Sequence, residues 1–178
     1  MQQGTLLPTA RPIAEFSLID QKGAPFTLDS LKNHWTFTFF GYTQCPDVCP
    51  TSLAMLAQVI RLLEKDPAVG TLPRGLFVSV DPKRDTPDVL AQFIPYFHPD
   101  FIAATGSDEE LHKLTRQLGL LYGKSEGDNE NDYLMDHSAA IILFDPDGNY
   151  RALFNVPHDS KLIANEFVMI KDYYETTQ

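Results

Sequence analysis

The hydrophobic pattern along the chain switches repeatedly between two periods. Trp35-Thr36-Phe37-Thr38-Phe39-Phe40 is apolar or aromatic at nearly every position, which predicts a strand over 34–40 covered on both faces. Leu53, Leu56, Ala57, Ile60 and Leu63 then recur at helical spacing up to about Asp66, with Pro50 suited to the first helical position. A second buried strand is expected over Gly75-Leu76-Phe77-Val78-Ser79-Val80, followed by a turn at Asp81–Asp85. Thr86-Pro87 reads as N-cap and first residue of a helix carrying Val89, Phe93 and Phe97 and ending near Pro99. Ser107-Asp108-Glu109-Glu110 has the form of a capping box, and Gly119 is the matching stop after Leu111, Leu114 and Leu118.

The ends of the chain read differently. Phe16–Ile19 and Pro25–Leu28 flank Asp20-Gln21-Lys22-Gly23 as an N-terminal hairpin. Residues 1–12 hold two prolines and no period, which predicts a loose lead-in ahead of one domain spanning 13–175. After an acidic stretch at 124–132, His137 opens an expected strand Ser138–Phe144. A Pro146-Asp147-Gly148 turn joins it to Tyr150–Val156, and a last amphipathic helix runs from about Asp159 to Tyr174. Strands alternating with helices predict an α/β fold: a central mixed sheet flanked by helices, with an antiparallel hairpin at its end.

Composition narrows the function. The 178 residues are 43% hydrophobic, enough for one core. Twenty-four Asp and Glu against 14 Lys and Arg give a net charge of −10, the wrong sign for phosphate neutralisation or an anionic bilayer, so nucleic acid is not an expected partner. No apolar run approaches the ~18 residues of a membrane span. The chain as given reads as soluble, with a leader or anchor compatible with a position before Met1. Acidity points to a small ligand, a cation or a basic protein patch.

The chemistry centres on the two cysteines, Cys45 and Cys49, in Gly41-Tyr42-Thr43-Gln44-Cys45-Pro46-Asp47-Val48-Cys49-Pro50. They fall where a central strand feeds a helix. A disulfide closing so short a loop removes only roughly 2 kcal/mol of unfolded-state freedom, about half of what a long-range bridge achieves, so a staple is a poor reason for the spacing. A helix N-terminus stabilises thiolate, which suits redox chemistry or a soft metal. Oxidoreductase motifs usually separate their cysteines by two residues, and here there are three; a metal would need a further ligand. Of the histidines, His112 is expected on the surface, His34 and His98 in capping or turn roles, and His158 as a cap of the last helix. His137 stands apart, at the sheet edge where the cysteine loop can emerge, although by spacing alone a histidine there is more often structural than a ligand. The acidic loop, with Glu126, Asp128, Glu130, Asp132 and Asp136, reads as a solvated segment or a patch for a basic partner. Calcium is disfavoured because Tyr133 stands where the calcium-loop pattern requires glycine.

These segments resemble the Sco/SenC family of copper proteins needed for cytochrome c oxidase assembly. The resemblance rests on Phe39–Pro50, on Val78-Ser79-Val80-Asp81-Pro82-Lys83-Arg84-Asp85-Thr86-Pro87 and on Asp136-His137-Ser138, and extends more loosely from about 14 to 170. It implies a thioredoxin-like fold binding one copper ion, as Cu(I) or Cu(II), through Cys45, Cys49 and His137. Unlike an ordinary thioredoxin, the chain has no proline between Pro99 and Pro146 to stand opposite its cysteines. Two thiolates favour Cu(I), and an added imidazole suits Cu(II) as well; zinc would want a fourth ligand such as Asp136, Asp47 or water. Met135 could offer a thioether, with packing its more ordinary role. Asp81 and Arg84 are expected to brace their turn.

The function so implied is a copper metallochaperone that needs no turnover and assists the dinuclear copper centre of an oxidase subunit. The implied partners are that subunit, a periplasmic copper donor chaperone and thioredoxin-like reductants. The family is typically tethered by one N-terminal transmembrane helix on the periplasmic or intermembrane-space side. The rival is an enzyme, a thiol–disulfide oxidoreductase working through Cys45 and Cys49, which does not need His137. A peroxidase on the same scaffold ranks last, since a paired motif lends it no support.

Overall fold

The computed structural model describes residues 3–44, 48–120, 122–124, 135–137 and 139–177, with the backbone alone given for 48–49, 123–124 and 135–137. Its centre is β4 (Thr36–Gly41), buried at all six positions. Parallel to it lies β5 (Arg74–Ser79), and beyond that β6 (Ile102–Thr105). On the other side β9 (Ile141–Phe144) runs antiparallel to β4 and turns back into β10 (Tyr150–Phe154). The N-terminal hairpin, β2 (Ser17–Asp20) with β3 (Pro25–Thr27), extends the sheet past β6. With β1 (Gly4–Arg11) on the far edge, the order is β1-β10-β9-β4-β5-β6-β2-β3.

Because successive strand side chains point to opposite faces, one sheet builds two cores. Phe37, Phe39, Phe77, Ile141 and Leu143 pack with Leu53, Leu56 and Ile60 of α2 (Val48–Glu64) and with Ile163 and Phe167 of α5 (Ser160–Thr176). Leu90 of α3 (Pro87–Phe93) joins the same layer. Their neighbours Phe40, Leu76, Val78, Ile142 and Phe144 face the opposite way, onto Leu111 and Leu114 of α4 (Asp108–Gln117) and onto Leu31 of the short α1 (Leu28–Leu31). Fully burying such a side chain is worth roughly 1.5–3 kcal/mol. That explains why the strand patterns are continuous rather than alternating.

Several expectations change. Residues 4–11 are not a loose lead-in: β1 pairs with β10, and the backbone N–H groups of Gln3 and Gly4 donate to the buried carboxylate of Glu166 at 2.9–3.4 Å. β6 falls where no strand was expected. Ala103 and Ala104 carry little pattern, yet both are wholly buried. α3 stops at Phe93, and Ile94–Tyr96 tighten into a 3-10 turn. α2 begins at Val48, so Pro50 sits inside its first turn rather than at its first position, where no N–H partner is lost. Ser107 caps α4 through Glu110 N, but the Glu110 carboxylate accepts from Ser17 N rather than closing a capping box. Gly119, at φ +72°, ends that helix as expected. Asp159, not His158, caps α5.

Candidate metal centre

The cysteine motif hangs between β4 and α2. Cys49 lies in the first turn of α2, while Cys45 and Asp47 lie outside the described residues. The approach to the motif is held from below. Thr43 N donates to Asp85 Oδ2 at 2.9 Å, and Thr43 Oγ1 donates to Oδ1 at 2.5 Å. Ser79 Oγ, at the end of β5, donates to Asp85 Oδ2 at 2.6 Å. Asp85 is wholly inaccessible to solvent, so its charge is tolerated only because these donors satisfy it.

The rest of the turn locks the same place. Asp85 N donates to Asp81 O at 2.9 Å, Arg84 Nε pairs with Asp81 Oδ2 at 2.5 Å, and Asp81 N donates to Ser79 Oγ at 3.1 Å. The Arg84 guanidinium lies over the Tyr42 ring at 5.5 Å, and Nη1 reaches Gln44 Oε1 at 3.5 Å. Asp81 and Arg84 thus brace the turn, as expected, and also back the loop that leads to Cys45. Asp85 was given no role by the sequence. Its signal was available, since an acidic residue just before an N-cap Thr-Pro and adjoining a buried strand must find donors inside the fold.

His137 does not open a strand of the main sheet. It ends β8 (Met135–His137), which pairs antiparallel with β7 (Tyr122–Lys124) in a separate ribbon; Tyr122 is the register partner of His137, Gly123 of Asp136 and Lys124 of Met135. Cα atoms of β8 come within 8 Å of β4. The fold therefore carries the His137 strand alongside the strand that feeds the cysteine motif. Glu126, Asp128, Glu130, Asp132 and Tyr133 of the acidic stretch lie outside the described residues, and Ser138 with them.

The other histidines stand in other settings. His98 stacks on Phe101, its Nε2 lies 3.3 Å from Glu64 Oε1, and its Nδ1 accepts from Asp100 N. His158 Nε2 donates to Phe154 O at 3.0 Å, and burial pushes its pKa down. His34 is exposed, its pKa lowered by partial desolvation of the ring and then by the charge of Arg74. His112 is not a simple surface residue: it is half-buried and stacks on Tyr122. Among the described residues, no group of three or more His, Cys, Asp or Glu side chains is placed to hold a metal.

A parallel β4–β5–β6 core, an antiparallel β9–β10 return and a dithiol motif at the strand-to-helix junction define a thioredoxin-like protein. The chain belongs to the SCO1/SenC family, which it matches over residues 5–171. It is 38% identical over 153 residues to the SCO2-like protein of Rickettsia prowazekii, covering 85% of this chain and 73% of that one. It is 40% identical over 134 residues to the mitochondrial SCO2 homolog of Mus musculus, covering 75% of this chain and 52% of the mouse protein. The copper-bound ScoI of Arabidopsis thaliana superposes with a TM-score of 0.83 at 35% identity, covering 90% and 98% of the two chains. The copper-bound ScoI of Bradyrhizobium japonicum gives 0.76 at 37%, covering 91% and 99%.

Proposed function

We propose that this chain is a copper metallochaperone that carries one copper ion between Cys45, Cys49 and His137 and assists assembly of the dinuclear copper centre of cytochrome c oxidase. One observation carries the reading: the strand that bears His137 runs beside β4, which feeds the cysteine motif at the first turn of α2. Copper bound in ScoI structures at 35% and 37% identity supports it.

The donor set fits the cargo. Two thiolates grip Cu(I), and the imidazole extends the set to Cu(II). The α2 N-terminus favours the Cys49 thiolate over the thiol. Cys45 and Cys49 can also be joined in a disulfide when a partner disulfide accepts their two electrons and two protons, which removes both sulfur ligands and couples loading to redox state. The buried Asp85 fixes the chain at Thr43, two residues before Cys45. Zinc, with the same two sulfurs, would need a fourth ligand. The reading extends to a periplasmic or intermembrane-space location with an N-terminal membrane anchor, to the copper-site subunit of the oxidase as recipient, and to a copper donor protein and thioredoxin-like reductants as upstream partners. No helix among the described residues is long and apolar enough to cross a membrane.

Titration of the reduced protein with Cu(I) and Cu(II), followed by absorption and electron paramagnetic resonance, tests this. One equivalent should bind, with a sulfur-to-Cu(II) charge-transfer band. Cys45→Ser or Cys49→Ser should abolish the band, and His137→Ala should weaken Cu(II) binding at least about tenfold while sparing the dithiol. A copper spectrum unchanged in His137→Ala would refute the ligand set. Rapid catalytic reduction of partner disulfides by the metal-free dithiol would favour the oxidoreductase instead.

A further inference from the structure

The ribbon that carries His137 is three residues long on each strand, far too little to hold a position by itself. Something outside it must fix where it sits. Tyr122, the register partner of His137, provides that contact. Its ring stacks on His112 of α4 with centroids 4.5 Å apart and planes 27° from parallel. Its hydroxyl lies 3.0 Å from His112 Nδ1 and 3.5 Å from Asp108 O, and the same Nδ1 is 2.8 Å from Asp108 O.

The base of this contact is rigid. Leu111 and Leu114, flanking His112, are buried in the sheet's second core, Ser107 caps the helix, and Glu110 ties it to Ser17 at the start of β2. Burial, and after it the neighbouring Asp108, raises the Tyr122 phenol to about 12, so the hydroxyl keeps its hydrogen throughout the physiological range.

We infer that His112 and Tyr122 are positioning residues: a latch between α4 and β7 that sets where the paired strand β8 presents His137. The inference rests on the reading of His137 as a copper ligand. It assigns the imidazole's placement to a contact with α4, distinct from the Asp85 brace. The dithiol and the imidazole are thus held by two separate parts of the fold. Loosening the latch costs the site its imidazole without touching its sulfurs.

The experiment compares wild type, Tyr122→Phe, which keeps the ring but loses the hydroxyl, His112→Ala, which loses the stack, and Glu109→Ala as an exposed control on the same helix. Amide hydrogen exchange of the metal-free protein should show segments 122–124 and 135–137 exchanging about tenfold faster in His112→Ala and less so in Tyr122→Phe. β4, β5 and the Glu109→Ala protein should stay unchanged. In the loaded protein, Cu(II) should dissociate several-fold faster from both latch variants, with Cu(I) retention by the two thiolates altered less than about twofold. Unchanged exchange of the ribbon in both variants overturns the latch. Faster exchange with unaltered Cu(II) release overturns its role in placing His137. Wild type that binds no copper would instead sink the copper reading, leaving the exchange comparison to decide the latch alone.

Discussion

The side chain that does most to shape the approach to the candidate site is Asp85. A carboxylate with no solvent access and three donors from Thr43 and Ser79 converts the end of β5 into a fixed seat for the loop before Cys45. Removing it leaves those donors facing a cavity, and each unsatisfied group costs about 1–3 kcal/mol. Asp85→Ala should therefore destabilise the fold by about 3 kcal/mol, whereas Thr43→Val, losing one bond, should cost about 1 kcal/mol. A purely structural brace would stop there. A brace that seats the cysteine loop should also shift the Cys45–Cys49 thiol–disulfide equilibrium against glutathione, measured in Thr43→Val under conditions where the protein is fully folded. An equilibrium identical to wild type would show that Asp85 serves stability alone.

Secondary elements show how far local pattern reaches. β4, β5, α2, α4 and α5 were expected because each carries a strong signal of its own: continuous apolar runs in strands covered on both faces, and Leu53–Leu63 at helical spacing. The Thr86 and Ser107 caps were equally plain in the sequence and accept from Val89 N and Glu110 N. β1, β6 and the β7–β8 ribbon escaped notice for a physical reason. Their pairing partners lie far along the chain or across a polar stretch, and Ile-Ala-Ala-Thr or Met-Asp-His holds no period to detect. The same gap hid the placement of His137, which was expected to open the core strand but ends a ribbon beside it. His158 shows tertiary context overriding local reading in another way: it closes the β10–α5 connection by donating to Phe154 O rather than capping the helix. Its pKa lies below the ordinary 6.5 because burial disfavours the charged ring. The unfolded chain therefore binds the proton more readily, so this contribution to stability is complete above pH 6.5 and declines as pH falls toward the folded value. Urea midpoints should drop from pH 7.5 to 5.5, and His158→Gln should flatten that slope; parallel slopes would remove His158 as a cause.

Taken as one object, the molecule separates support from chemistry. The sheet and its two cores, filled by Phe37, Phe39 and Phe77 on one side and Phe40, Val78 and Phe144 on the other, hold β4 and β5 rigid beneath the motif. The proposed ligands fall at the β4–α2 junction, in the first turn of α2 and on the β7–β8 ribbon. Membership of the SCO1/SenC family accords with this division, and a net charge of −10 suits a protein that meets cations and basic surfaces rather than nucleic acid. The central claim is that two sulfurs and one imidazole, distant in sequence, close on a single copper ion. X-ray absorption spectroscopy of the copper-loaded protein measures that shell directly. The expected result is two sulfur scatterers and one imidazole nitrogen in wild type, with the imidazole signal lost in His137→Ala and both sulfurs retained. An identical first shell in wild type and His137→Ala, or a shell without two sulfurs, would contradict it.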